Sequence, residues 1–160
     1  MQIIKKIDAK LHLCLFWTLF FLGVGITVVV FLGVLFRYVF KAPLPWAEEL
    51  SRYLMVWGAS LGAAVAYKEG SHVAVTVAIE RLPQMVAKWM VLLGRFAVGF
   101  FAVVALIWGF VLIARFKGQT SPAIGIPMAI PYLSVPIGCL LILFQTIVLT
   151  LTQNKEVDVK

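Results

Sequence analysis

The sequence predicts an all-α integral membrane protein with four transmembrane helices and both termini in the cytoplasm. Three observations predict it. The 160 residues are 62% hydrophobic and 13% charged, with a mean hydropathy of +1.02, outside the range of soluble globular chains. Three stretches carry no charged residue: 11–36, the interior between Arg95 and Arg115, and 118–154. Each is long enough to cross a hydrocarbon core of about 30 Å. A fourth stretch, from about Leu50 to Tyr67, is shorter and carries Arg52 near its start. The expected helices are about 11–36, 46–67, 85–116 and 131–153, in one membrane domain covering 1–160.

The tail Met1–Lys10 carries Ile3, Ile4 and Ile7 on one side if helical. It reads either as an interfacial turn with lysines toward anionic headgroups or as a frayed end. The first span is too long for the apolar region of a cleavable signal peptide, and no small-x-small site follows it. Arg37-Tyr38-Val39-Phe40-Lys41 ends that span with an aromatic ring and snorkelling cations. Ala42-Pro43-Leu44-Pro45 makes the turn, with Pro45 suited to the first helical position.

The second span holds Gly58-Ala59-Ser60-Leu61-Gly62, a spacing of small residues that permits close helix packing in lipid. Glu69-Gly70-Ser71 reads as a break. Beyond it Val73, Val75, Val77 and Ile79 alternate like a strand, but a lone strand has no ladder partner, so 71–83 is expected as a short interfacial helix ended by Leu82-Pro83. The third span places Trp89 and Trp108 near opposite boundaries. Arg95 lies one or two turns inside it, either snorkelling or paired with a carboxylate such as Glu80. Between spans three and four, Pro122, Pro127 and Pro131 forbid a regular helix. That loop is uncharged, so it is expected in the interface or against a partner.

Charge distribution sets orientation and excludes one function class. The net charge of +7 is scattered, without the basic face of a nucleic-acid binder. Lys5, Lys6, Lys10, Lys68, Arg81, Lys88, Lys155 and Lys160 fall on one side, and Arg37, Lys41, Arg115 and Lys117 on the other, which places both termini inside. Cys14 and Cys139 then lie at opposite depths, too far apart for a disulfide.

No catalytic constellation is present, and no cofactor site is expected. His12 and His72 lack the facing placement that haem ligation requires. There is no phosphate-cradling glycine loop or zinc-protease motif, and no nucleophile–base pair. The span centres hold no ionisable residue, unlike self-sufficient ion-coupled transporters. A helper subunit fits best. The alternatives are an independent homo-oligomeric small transporter, which needs a deep carboxylate, and a membrane anchor of a redox complex, which needs a haem ligand pair.

Only seven residues are acidic, and Glu48 and Glu49 stand together where the second span opens. Carboxylates at a lipid boundary need partners. Glu48 and Glu49 are four and three residues before Arg52, on neighbouring positions of a helix surface, and in a first turn where the dipole favours negative charge. One reading is a self-contained helix start anchored by Trp46. The sharper one is an assembly clamp in which Arg37 pairs with Glu48 or Glu49 and fixes the hairpin, leaving the other carboxylate or Arg52 toward a partner. Candidate assembly residues are Arg37, Trp46, Glu48, Glu49, Arg52, Gly58 and Gly62.

These features, in order, resemble the small membrane subunit of tripartite ATP-independent periplasmic (TRAP) transporters, the DctQ-like proteins. The resemblance is carried by Phe36-Arg37-Tyr38-Val39-Phe40, then Pro45-Trp46-Ala47-Glu48-Glu49-Leu50-Ser51-Arg52-Tyr53 with Trp57-Gly58 and Leu61-Gly62. Glu69-Gly70-Ser71-His72-Val73, Leu82-Pro83, Ser121-Pro122-Ala123-Ile124-Gly125-Ile126-Pro127 and Tyr132 with Pro136-Ile137-Gly138 continue it. It covers about residues 10–150. One departure is Thr76, where the family often carries an Asp. The resemblance implies a non-catalytic scaffold subunit of a sodium-coupled transporter in the bacterial inner membrane. Its implied partners are the large membrane subunit, whose elevator motion it braces, a periplasmic solute-binding protein that docks on the complex, and membrane lipids. The implied cargo is an organic acid such as a C4-dicarboxylate or sialic acid.

Overall fold

The computed structural model describes residues 2–79 and 84–153. They form α1 (Gln2–Tyr38), α2 (Pro45–Ile79), α3 (Gln84–Arg115), the single turn α4 (Ala129–Tyr132) and α5 (Ser134–Gln153). Three helical stretches are apolar and long enough to cross a membrane: Asp8–Tyr38, Trp89–Arg115 and Ala129–Thr150. The protein is thus an all-helical, multi-pass membrane protein. The long helix α2 runs beside two of these spans, and charges on either side of its apolar stretch 53–67 lower its hydropathy: Glu48, Glu49 and Arg52 before it, Lys68 and Glu69 after it.

Two boundaries differ from expectation. The first helix does not begin at the charge-free stretch; α1 starts at Gln2 and takes in the basic tail. The second does not end at Tyr67, because α2 continues through Glu69-Gly70-Ser71 to Ile79. A single glycine inside a helix costs only about 1 kcal/mol, too little to break it. The alternating valines are therefore helical, and of the expected interfacial element 71–83, residues 80–83 lie outside the described residues. At the other end of the chain Pro136 sets the α4–α5 junction. Its ring conflicts with the carbonyl four residues earlier, that of Tyr132, where α4 ends. The Ser134 hydroxyl donates to the Pro131 carbonyl at 2.7 Å across the junction, and Ser134 is fully buried.

The helices pack side by side. The central pair is α2 and α5, with α1 on the outer side of α2 and α3 on the outer side of α5. Leu15, Leu61 and Val65 form the buried core, joined by Leu11, Leu19, Leu22, Trp57, Ile137 and Leu141. Both flanks keep broad apolar exposure. On α1 it includes Phe16, Trp17, Phe20 and Phe21; on α3 it includes Leu93, Phe96, Phe100 and Phe101.

Small residues act where the sequence pattern did not point. Side chains built on Gly58 and Gly62 would meet only the tips of Ile26 at 4.0 Å and Leu19 at 3.8 Å, ordinary contacts between α1 and α2. The close approaches are elsewhere. A Cβ on Gly138 of α5 would lie 2.8 Å from the Ser60 carbonyl oxygen of α2, and one on Gly109 of α3 would lie 2.9 Å from the Pro136 ring. Gly62→Ala is therefore expected to leave thermal stability in detergent unchanged or raised by up to about 1 kcal/mol, the helix-propensity gain.

Candidate functional site: a carboxylate latch at one end of the bundle

The turn after α1 brings Pro45 to the start of α2, and the next residues face three ways. Ala47 is buried and lies 3.5 Å from the Cβ position of Gly33 on α1. Two residues on, about 200° around the helix, Glu49 faces away from α1. Glu48 is exposed, and its Oε1 accepts a hydrogen bond from Arg52 at 3.2 Å, one turn along. Trp46 is exposed at the first turn. Among the described residues Arg37 pairs with neither carboxylate, so the expected Arg37 bridge does not form. The helix phase explains this: Ala47, not a glutamate, is the residue turned to α1.

Glu49 is buried, with 8% of its surface exposed, and its partners lie more than 70 residues along the chain. Its Oε2 accepts hydrogen bonds from the backbone amides of Ala123 at 2.9 Å and Ile124 at 3.1 Å. Its Oε1 accepts the hydroxyl of Tyr53, one turn along α2. That hydroxyl also lies 3.4 Å from Met128 Sδ. The connection between α3 and α4 thereby closes over the carboxylate.

The connection is preformed for this. The Ser121 amide donates to the Ile126 carbonyl at 2.8 Å, the Gly125 amide to the Ser121 carbonyl at 3.0 Å, and the Met128 amide to the Gln119 carbonyl at 2.9 Å. The Gly125 amide also reaches Ser121 Oγ at 3.1 Å. Gly125 takes φ +78°, a conformation glycine adopts without steric cost. The loop leaves the Ala123 and Ile124 amides pointing inward, two adjacent donors suited to an anion, and Glu49 is that anion. Phe116 stacks on Tyr132 at 4.8 Å beside it. The uncharged loop thus rests against α2 of its own chain.

Glu49 sits in the first turns of α2, before the charge-free stretch 53–67. The Tyr53 hydroxyl holds its carboxyl below the ordinary value of 4.5; burial opposes this, and the Ala123 amide, the Ser121 hydroxyl and the Ile124 amide reinforce it. Glu48 is a different case. Its pair with Arg52 is exposed on both sides, and such pairs contribute about 0.3–0.5 kcal/mol. Glu48→Gln is accordingly expected to change the unfolding free energy by less than about 0.5 kcal/mol in a detergent melt.

A second tie joins the opposite ends of α1 and α2. Lys68 Nζ lies 2.7 Å from Asp8 Oδ2, and both side chains are mostly buried. His12 Nε2 lies 3.3 Å from Glu69 Oε1 one turn away. The sequence reading placed Asp8 in a basic tail and Lys68 in a connection, so it missed this pair; the signal was one acid among the tail's lysines. Cys14 is exposed, Cys139 is buried and both are free. The side chains of His72, Thr76 and Glu80 lie outside the described residues.

The latch residues fall within a match to a known family. Residues 26–155 match the model of the DctQ component of tripartite ATP-independent periplasmic transporters. The C4-dicarboxylate TRAP transporter small permease protein DctQ of Rhodobacter capsulatus is 38% identical over 104 residues, which cover 64% of this chain and 46% of that protein. A TRAP transporter small permease protein of Haemophilus influenzae, described as putative, is 27% identical over 157 residues, covering 98% of this chain and 92% of its own length. The isethionate TRAP transporter permease protein DctMQ of Oleidesulfovibrio alaskensis is 29% identical over 133 residues, 74% of this chain but 20% of that much longer one. Such small permease proteins are non-enzymatic transport components. The chain belongs to the DctQ component family of TRAP transporters.

Proposed function

We propose that this chain is the small, non-catalytic scaffold subunit of a sodium-coupled TRAP transporter in the bacterial inner membrane, with both termini cytoplasmic. It pairs with a large membrane subunit and braces that subunit's elevator motion, while a periplasmic solute-binding protein delivers the cargo to the complex. The cargo is an organic acid, such as the C4-dicarboxylate of the Rhodobacter relative's name or sialic acid. The match inside a much longer permease supports the pairing, since one chain there carries a region like this one.

The observation that carries the bracing role is the latch. A brace must not deform as its partner moves, and Glu49, itself held by Tyr53, locks the loop between α3 and α4 onto α2 with two hydrogen bonds from its backbone amides. The row of four helices leaves the flanks of α1 and α3 free for a partner and for lipid. At the rim, Trp46, Glu48 and Arg52 are exposed and form the seam toward the large subunit. Gly58 and Gly62 serve packing within the chain, between α1 and α2.

Copurification tests the reading. The tagged chain, coexpressed with the proposed large membrane subunit, is expected to retain that protein in detergent. Proteoliposomes are expected to take up solute only when both, and the binding protein, are present. Uptake by this chain alone would contradict it.

A further inference from the structure

One end of the molecule carries cations that the latch does not use. Arg37 lies in the last turn of α1 and Lys41 in the turn beyond it, Arg52 lies two turns into α2, and Arg115 ends α3 with Lys117 just after it. They share one end because the loop that follows α3 is hydrogen-bonded to Glu49 at the start of α2. All five are exposed. Arg52 pairs with Glu48. Among the described residues Arg37, Lys41, Arg115 and Lys117 have no acidic partner. The acids at this end are Glu48, already paired, and Glu49, buried under the loop amides. Both flanks of the row therefore present bare positive charge.

Lys41 adds an independent observation. It has φ +52° and is the non-glycine residue in the left-handed region among the described residues; the other two positions there are Gly118 and Gly125. Glycine adopts this conformation freely, whereas a side chain meets steric strain. A helix C-terminus favours cations, which accounts for Arg37 and Arg115 in their last turns. It does not account for a lysine kept in a strained turn beyond the helix. A residue held in a costly conformation at a boundary points to a role for its side chain.

We propose that this rim binds the phosphates of anionic phospholipids, with Arg37 and Lys41 forming the site on the α1 flank and Arg115 and Lys117 its counterpart on the α3 flank. The occupant is a lipid because exposed apolar surface lies on the last turns of the helix that leads into each pair. On α1 it is Phe31 and Val34; on α3 it is Trp108 and Val111. Acyl chains cover that surface, which brings the headgroup phosphate to the level of the cations. The guanidinium forks the phosphate and the ammonium supplies a compact charge. The site depends on the boundary position and not on which side of the membrane it faces. Its failure would leave the scaffold reading untouched.

The test uses the full chain in nanodiscs of phosphatidylcholine alone or mixed with phosphatidylglycerol. Native mass spectrometry reads the retained phosphatidylglycerol, and a thermal melt reads the stabilisation it confers. Lys41→Gly suits the left-handed turn, so it is expected to fold and to melt no lower than wild type in phosphatidylcholine. It is also expected to bind phosphatidylglycerol about fivefold more weakly, the effect of one basic residue at an anionic surface. Adding Arg37→Gln is expected to bring the loss to about 25-fold, while Arg115→Gln with Lys117→Gln removes the other flank's lipid. Inorganic phosphate is expected not to reproduce the stabilisation; if it does, the site takes the free anion and the lipid assignment fails. Unchanged phosphatidylglycerol retention in the Lys41→Gly, Arg37→Gln variant overturns the proposal. So does an unchanged lipid count accompanied by loss of a copurifying acidic protein, which would make the rim a protein-docking surface.

Discussion

Glu49→Ala is expected to be among the most damaging single substitutions in this chain. It strands the amides of Ala123 and Ile124 and leaves the Tyr53 hydroxyl only the Met128 sulfur, and a buried donor left unpaired costs about 1–3 kcal/mol. The thermal melt in detergent should fall by at least about 5 °C, and protease cleavage within 119–128 should accelerate. Glu49→Gln keeps an acceptor for the two amides and should fall between alanine and wild type. Adding Arg37→Glu to Glu49→Arg should rescue nothing, because Arg37 is not the partner. The pH dependence has a definite sign. The folded carboxyl lies below its ordinary value of 4.5, so the latch contributes its full stability above that value and loses it as pH falls through the lowered one. Melting curves of wild type should therefore show the latch intact from pH 8 to about 5, with its contribution fading only in stronger acid. Glu49→Gln should flatten that acid limb.

The second large effect is expected at the helix crossing. Gly138→Ala would place a methyl 2.8 Å from the Ser60 carbonyl oxygen and 3.1 Å from its carbonyl carbon. The obstacle is backbone inside a helix, which cannot turn aside as a side-chain tip does, so α5 must move off α2. Overpacking of this kind costs about 1–3 kcal/mol. Because α2 and α5 form the centre of the row, the loss should also appear as reduced assembly. Measured beside Gly62→Ala, which meets only the tip of Leu19, the pair separates a true close approach from a sequence pattern that resembles one.

That contrast shows what the sequence carried and where it stopped. Charge-free stretches are direct readouts of the hydrocarbon core, so the helices and the special standing of the acidic patch were legible. The partner of Glu49 was not. It is a pair of backbone amides, and every residue but proline has one, so nothing in the letters Ala123 and Ile124 marks them. The proline-paced loop did signal that it needed a surface to lie on, and that surface is α2. Proximity in sequence points to Arg37, but the phase of α2 turns Ala47 toward α1. Gly58 and Gly62 fit a packing motif whose spacing says which helix face is small, not which neighbour comes close. Gly70 does not break α2 because the cost of one glycine is absorbed by a long helix. The tie between Asp8 and Lys68 is hidden in the sequence because both residues lie outside the charge-free stretches, where nothing marks the helices as continuing.

The latch as a structural requirement for transporter assembly is tested most directly by one pull-down. The tagged chain is coexpressed with the proposed large membrane subunit as wild type, Glu48→Gln, Glu49→Gln and Glu49→Ala, and the retained large subunit is quantified per chain. Wild type and Glu48→Gln are expected to retain it equally, Glu49→Gln less, and Glu49→Ala least. Full retention by Glu49→Ala, with solute uptake undiminished, would contradict the account.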